Sequence, residues 1–270
     1  MTPHRLLHRP PDFSSLTPAP TSASASRPPR SSPAPRTSST SFVTGRSLAK
    51  AQGAVAKLEA TGELKGTVSA LQLDVTDVAS VDAAVKAVDE KFGRLDVLVN
   101  NGALGFIKNE TGELVQGVSI EDTFKALLAT NVTGPYTASR KFRPLLAKSA
   151  DPRIIHVSSG MGSIETTPTR VDVYKPFGES GIPYSVSKAA LNMISVVEKA
   201  VFPEQKTKIF AMCPGFVVSE LRGSDEAARS GWGGAGDPAV SGQTMLSIIE
   251  GKRDADEGKG ILHKDGVYPW

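Results

Sequence analysis

A single cysteine, Cys213, stands in a chain of 270 residues, which excludes an intramolecular disulfide. The four histidines, His4, His8, His156 and His263, are scattered without zinc-ligand spacing. No apolar run approaches the ~20 residues that span a bilayer. Near the N-terminus Leu6-Leu7 is the one apolar cluster, so a secretory apolar stretch is missing. Acidic residues are nearly absent from residues 1–40, where Asp12 is the single acid against five arginines. That segment also holds nine of the 19 prolines and nine serines. It carries +4 and the remainder −1, so the net charge of +3 belongs to the tail. Nucleic-acid binding needs a basic face on a folded module, which this distribution does not give.

We expect residues 1–40 to be a disordered Pro/Ser/Arg-rich tail and residues 41–270 to be one α/β domain. The tail is Arg-rich, Ser-rich and acid-poor, as organelle transit peptides are. The alternatives are a tail with no address and a wrongly assigned start. Accordingly the expected location is cytoplasmic, or mitochondrial if the tail is a transit peptide.

From Ser41 the pattern becomes β/α alternation. Ser41–Thr44 is a short strand, and Ala51, Val55 and Leu58 mark a helix face. Val68–Leu73 is a second strand, closing on Asp74; Thr76 and Asp77 can cap the next helix, whose stripe is Val81, Val85, Val88 and Phe92. Leu95–Val99 is a continuous apolar run suited to a strand buried on both faces. A long helix from Ile120 to Lys148, a strand at Ile154–Val157, a helix from Pro183 to Ala200 and a strand at Lys208–Met212 follow, with a last strand around Ile261-Leu262. Such alternation implies right-handed βαβ units and a parallel sheet, with ligands beyond the carboxyl ends of its strands. Arg46, Asp74, Asn100, Ser159 and Pro214 all fall at such ends.

Tyr184 and Lys188 are four apart, one turn of a helix. An ammonium near a phenol favours the phenolate and lowers its pKa, which suits proton transfer near neutral pH. The pair alone is weak. Its weight comes from Ser158-Ser159 and Asn131 upstream and Pro214-Gly215 downstream.

Taken together, Leu73-Asp74-Val75-Thr76-Asp77, Leu95 to Asn101, Thr130-Asn131-Val132, Val157-Ser158-Ser159, Tyr184 with Lys188, and Pro214-Gly215 resemble the short-chain dehydrogenase/reductase family over residues 41–270. Thr44-Gly45-Arg46 running into Ala51–Val55, and Gly258-Lys259-Gly260 with the terminal Trp270, resemble its carbonyl-reductase-like branch. The resemblance implies a Rossmann-type doubly wound parallel sheet and NADP-dependent interconversion of a carbonyl and an alcohol by hydride transfer, on a small-molecule substrate. It implies Tyr184 as general acid/base, Lys188 lowering the phenol's pKa and bonding the nicotinamide ribose, and Ser159 holding the substrate oxygen. Asn131 would position a proton-relaying water; the other reading is a buried residue satisfying a helix kink. For the cofactor, the resemblance implies Asp74 at the adenine amino group, Asn100 beside adenosine, and Val217 and Ser219 near the carboxamide. Arg46 suits a 2′-phosphate and so NADP, or is a solvated surface arginine. No metal, nucleic acid or membrane is implied, and both homo-oligomer and monomer stay open.

Two departures stand out. The family's Asn-Asn-Ala-Gly reads Asn100-Asn101-Gly102-Ala103, which moves the permissive position by one. Ser159 and Tyr184 are 25 residues apart, and the added stretch Ile164–Ile182, with Arg170, Asp172, Tyr174, Lys175, Phe177 and Glu179, is either a flap over the substrate or a plain surface loop. The larger departure is at the phosphates. The family's Thr-Gly-x-x-x-Gly-x-Gly turn has no counterpart, since Thr44-Gly45 is followed by Ala49 and Ala51. The sheet is therefore expected to be incomplete at its N-terminal βα unit, with two exposed inner edges or a re-pairing, and a mis-assigned first exon is the expected origin. The alternative function is a catalytically impaired relative acting as a binding or interaction protein.

Overall fold

The computed structural model describes residues 14–17, 39–64, 66–109 and 113–270. Eight strands form one sheet in the order β3-β2-β1-β4-β5-β6-β7-β8. They are β1 (Ser14–Thr17), β2 (Thr40–Gly45), β3 (Thr67–Gln72), β4 (Val97–Asn100), β5 (Arg153–Val157), β6 (Lys208–Met212), β7 (Ile261–His263) and β8 (Gly266–Tyr268). Strands β2 and β3 pair in parallel, as do β4 through β7 in succession. The α/β fold expected from the alternation is the fold observed.

The helices are α1 (Leu48–Ala60), α2 (Val78–Phe92), α3 (Ile120–Leu128), α4 (Gly134–Leu146), α5 (Val171–Tyr174), α6 (Ile182–Val201), α7 (Glu226–Arg229) and α8 (Pro238–Ile249). Their starts follow local chemistry. Ser47, Asp77, Ser119 and Asp237 accept from the first-turn amides of α1, α2, α3 and α8. Gly93, at φ 67°, ends α2 in the left-handed region that favours glycine. On one side of the sheet Val81, Ala84 and Val88 of α2 and Ala138, Phe142, Leu145 and Leu146 of α4 pack against Phe42, Leu98, Ile154 and Ile209. On the other, Val99, Ile155, Phe210 and Met212 meet Ile248 of α8 and Leu262. Strands β4 and β5 are buried at every residue, as an inner parallel strand with covered faces requires.

Residues 1–40 correct one expectation. Ser14–Thr17 fills the slot between β2 and β4, antiparallel to both. Backbone donors and acceptors of two inner edges would otherwise be left without partners, and a strand of four residues is enough to meet them. Proline-rich composition says little about Ser14-Ser15-Leu16-Thr17, which contains no proline. The direction of β1 matters more than its presence. Thr17 pairs with Val97, the first residue of β4, so β1 ends at the amino edge of the sheet. A parallel strand would end at the carboxyl edge, beside Asn100. The rest of residues 1–38 lies outside the described residues, and with it most of the expected tail.

Proline at position 16 tests this slot. Leu16 faces both Phe42 and Leu98 in the ladder. Leu16→Pro removes a donor in the sheet interior, at about 1–3 kcal/mol. The expected result is a thermal midpoint lower by roughly 2–10 °C; an unchanged midpoint would show that β1 does not hold the sheet together.

Candidate active site

At the carboxyl edge of β4, β5 and β6 lies a cleft of about 460 Å3. Ser159 and Tyr184 line it, with Gly105, Phe106, Met161, Cys213, Phe216, Leu221 and Arg222 among their neighbours. Ser159 follows β5 and opens the short turn Gly160–Gly162, accepting from Met161 N at 3.1 Å. Ser158 is buried, and its hydroxyl donates to Asn192 Oδ1 at 2.5 Å. The turn lies directly on α6: a Cβ on Gly162 would come within 2.7 Å of the Lys188 carbonyl carbon. That contact holds the strand-end serine against the helix that carries Tyr184, and both side chains line the same cleft.

Lys188 is buried, and its Nζ donates to Val157 O at 2.8 Å while lying 5.6 Å from the centroid of the Tyr184 ring. Burial pushes the Tyr184 phenol above its ordinary range and the neighbouring Cys213 acts in the same direction; the Ser159 hydrogen bond and the Arg222 charge oppose them. The net shift is upward. The direction is opposite to the expected lowering by Lys188: desolvation outweighs the Arg222 charge and the Ser159 contact, around a side chain that is itself half-buried.

Asn131 sits in a π-helical turn, Ala129–Thr133, between α3 and α4. Its Oδ1 accepts from Leu104 N at 2.7 Å, and its Nδ2 donates to Leu104 O at 2.8 Å and Ser187 Oγ at 3.0 Å. Both amide hydrogens are engaged, and the residue is fully buried. Ser187 Oγ in turn donates to Tyr184 O at 2.7 Å. Asn131 therefore ties the segment after β4 to the first turns of α6.

The other expected residues lie around this centre. Arg46 is half-buried after β2, where Gln72 Nε2 donates to its carbonyl at 3.0 Å. Asp74 Oδ1 accepts from Thr76 N at 2.9 Å and Thr76 Oγ1 at 2.7 Å, which fixes the turn after β3. Asn100 is buried, its amide nitrogen bonding inward to Ser139 Oγ at 3.1 Å and His156 Nδ1 at 3.2 Å. Gly102 takes no positive φ, so the Gly-Ala inversion is accommodated without the left-handed region. Val217 O accepts from Arg222 Nη2 at 2.8 Å, and Ser219 is half-buried, its N–H donating to Arg229 O at 3.2 Å. Of the stretch Ile164–Ile182, Arg170, Asp172, Val173, Phe177 and Gly181 line the cleft.

Several lining residues escape a sequence reading. Arg222 reaches the cleft from the loop after β6 and donates to the carbonyls of Val217, Ala228 and Arg229. Its guanidinium lies 4.5 Å over the Phe216 ring. Trp232 and Tyr268 complete the aromatic wall. None of these carries a periodic or motif signal; a cation and aromatics following Pro214-Gly215 were the one available hint.

The short chain dehydrogenase family profile matches residues 37–230. Short-chain dehydrogenase/reductase tropE of Talaromyces stipitatus is 33% identical over 217 residues, covering 77% of this chain and 79% of that protein. Short-chain dehydrogenase anuI of Penicillium roqueforti is 31% identical over 202 residues, covering 70% and 75%. Among solved structures, NADPH-bound carbonyl reductase from chicken fatty liver superposes with a TM-score of 0.65 at 26% identity, over 85% of this chain and 87% of that one. Carbonyl reductase Sniffer of D. melanogaster shares the fold, with a TM-score of 0.62 at 23% identity.

The asparagine hub yields a stability prediction. Asn131→Ala leaves Leu104 N, Leu104 O and Ser187 Oγ without these partners inside the protein. Each lost buried bond costs about 1–3 kcal/mol. Thermal unfolding should show a midpoint lower by roughly 5–15 °C. A shift within about 2 °C, under 1 kcal/mol on the same scale, would show that the bonds are replaceable.

Proposed function

Since the chain belongs to the short-chain dehydrogenase/reductase family, we propose that it is an NADP-dependent oxidoreductase interconverting a carbonyl and an alcohol, with Tyr184 as general acid/base. The observation that carries this reading is the convergence of Ser159 and Tyr184 in one cleft, with Lys188 anchored one helical turn beyond. A bound nicotinamide would supply or accept the hydride. The chain's own residues handle the oxygen. Ser159 orients the carbonyl oxygen, and Tyr184 delivers the phenol proton to it as the alkoxide forms. A phenol raised by burial stays protonated at neutral pH, which suits the donor role. Lys188 would bond the nicotinamide ribose, and Val217 and Ser219 would face the carboxamide. Asn131 acts first as a positioning residue, through Leu104 and Ser187; a water passing protons toward Lys188 is its proposed second task.

NADP as the cofactor is supported by Arg46 at the carboxyl end of β2. Asp74 would meet the adenine, and Asn100 the adenosine through its oxygen or backbone. The chain fits such a cofactor at one end only. Among the described residues no glycine-rich turn enters a helix beside β2 and β4, and β1 leaves the sheet at the opposite edge. The amides and helix N-terminus that would cradle a pyrophosphate are thus without a counterpart there. The proposed location is the cytoplasm, or the mitochondrion if residues 1–40 are a transit peptide. Among the described residues no helix is long and apolar enough to cross a membrane.

Two measurements test this reading. Tyr184→Phe should lower NADPH-dependent ketone reduction by about 100- to 10,000-fold, and retained turnover would refute the acid assignment. Calorimetric titration of the 270-residue chain should give weak NADPH binding, with Kd above about 100 μM, because charge-assisted bonds worth ~1.5–3 kcal/mol each are lost. Micromolar binding would overturn the misfit at the phosphates. Absence of both binding and turnover would favour the catalytically impaired relative.

A further inference from the structure

The cleft has aromatic walls, formed by Phe106, Phe177, Phe216, Trp232 and Tyr268. One cation on its lining has an unused donor. Arg170, from the Ile164–Ile182 stretch, holds its guanidinium 5.2 Å over the Tyr268 ring. Its Nη1 is shielded from solvent and, among the described residues, has no hydrogen-bond partner. A buried, unpartnered guanidinium nitrogen is rare in folded proteins, because the lost hydration is not replaced.

The chain makes room for this nitrogen beside the catalytic serine. Gly160 directly follows Ser159, and a Cβ on it would lie 2.9 Å from Arg170 Nη1. Any side chain at Gly160 would push the guanidinium away from the end of the cleft where Ser159 and Tyr184 meet. The other lining charges are already engaged. Arg222 donates to three backbone carbonyls. Asp172 is the one acid on the lining; its side chain is 96% exposed and pairs with Lys175 at 3.5 Å. A guanidinium with an unpartnered nitrogen matches a carboxylate, which accepts charge-assisted hydrogen bonds from it.

We propose that Arg170 is a specificity-determining residue that binds a carboxylate on the substrate, and that the substrate is an aromatic carbonyl compound bearing such an acid group. The aromatic ring packs between the walls, the carbonyl meets Ser159 and Tyr184, and the carboxylate meets the guanidinium. This rests on the carbonyl-reduction reading only for which end of the ligand faces Tyr184.

Equilibrium binding separates the two. The full chain is titrated calorimetrically with 4-acetylbenzoic acid and with its methyl ester, which keeps the ring and ketone and removes the charge. The acid should bind at least about tenfold tighter, as for a charge-assisted pair in a shielded site. Arg170→Met should reduce that preference to within about twofold, and Arg170→Lys should keep an intermediate one, since an ammonium lacks the planar fork. Tyr184→Phe should leave the preference intact, so failure of reduction and failure of the subsite are read separately. Thermal midpoints of the Arg170 variants check that both remain folded, and the lysine variant carries the test if the methionine variant unfolds. Equal affinity for acid and ester, no measurable binding of the acid, or a preference that survives loss of the guanidinium would overturn the proposal.

Discussion

The buried amide of Asn131 holds the Tyr184 end of the cleft together. Its three bonds join Leu104, beyond the end of β4, to Ser187 in the first turns of α6. Ser187 then meets the carbonyl of Tyr184, and Lys188 reaches Val157 at the end of β5. One side chain thus fixes the relation between a strand end and the helix that presents the phenol. The π-helical turn places that amide between the two. A regular helix would rotate position 131 by a fraction of a turn and separate it from its partners. The deformation of the α3–α4 run is what brings the site into register.

Much of this was legible in the chain. Apolar runs at Leu95–Val99 and Ile154–Val157 mark inner parallel strands because both faces of such strands must be dry. Ser47 and Asp77 announce helix starts because their oxygens can meet free amides locally. The site residues at strand ends follow from topology, since each loop at the carboxyl edge opens on one shared surface. What was hidden has a common cause. Strand β1 exists only because β2 and β4 offer unpaired edges, and no local signal in Ser14-Ser15-Leu16-Thr17 reports that need. Arg222, Trp232 and Tyr268 come to the cleft from loops and a three-residue strand, where no periodicity is long enough to read. The raised phenol was also hidden, because four-residue spacing gives the nearness of Lys188 and says nothing of burial.

The two halves of the expected binding surface differ in kind. The half proposed to handle the carbonyl oxygen is built and buttressed, with Gly162 pressed on α6 and Ser159 and Tyr184 lining one cleft. The phosphate half depends on the strand in the central slot. There β1 restores the ladder while running in the opposite direction. Sheet completion and phosphate binding are therefore separable: hydrogen bonding needs a strand of either direction, whereas an anion cradle at the carboxyl edge needs a parallel one followed by a helix.

The central claim is that the Tyr184 phenol, half-buried in the cleft wall, gives up its proton in carbonyl reduction. The pH dependence of kcat at saturating NADPH and ketone tests it most directly. A donor must be protonated, so the rate is flat below the phenol's pKa and falls above it. With burial holding that pKa above the ordinary tyrosine value of about 10, the account predicts a plateau through about pH 9 and a decline only beyond the usual phenol range. A basic limb centred near pH 7–8, roughly two units or more below the ordinary phenol, would contradict it.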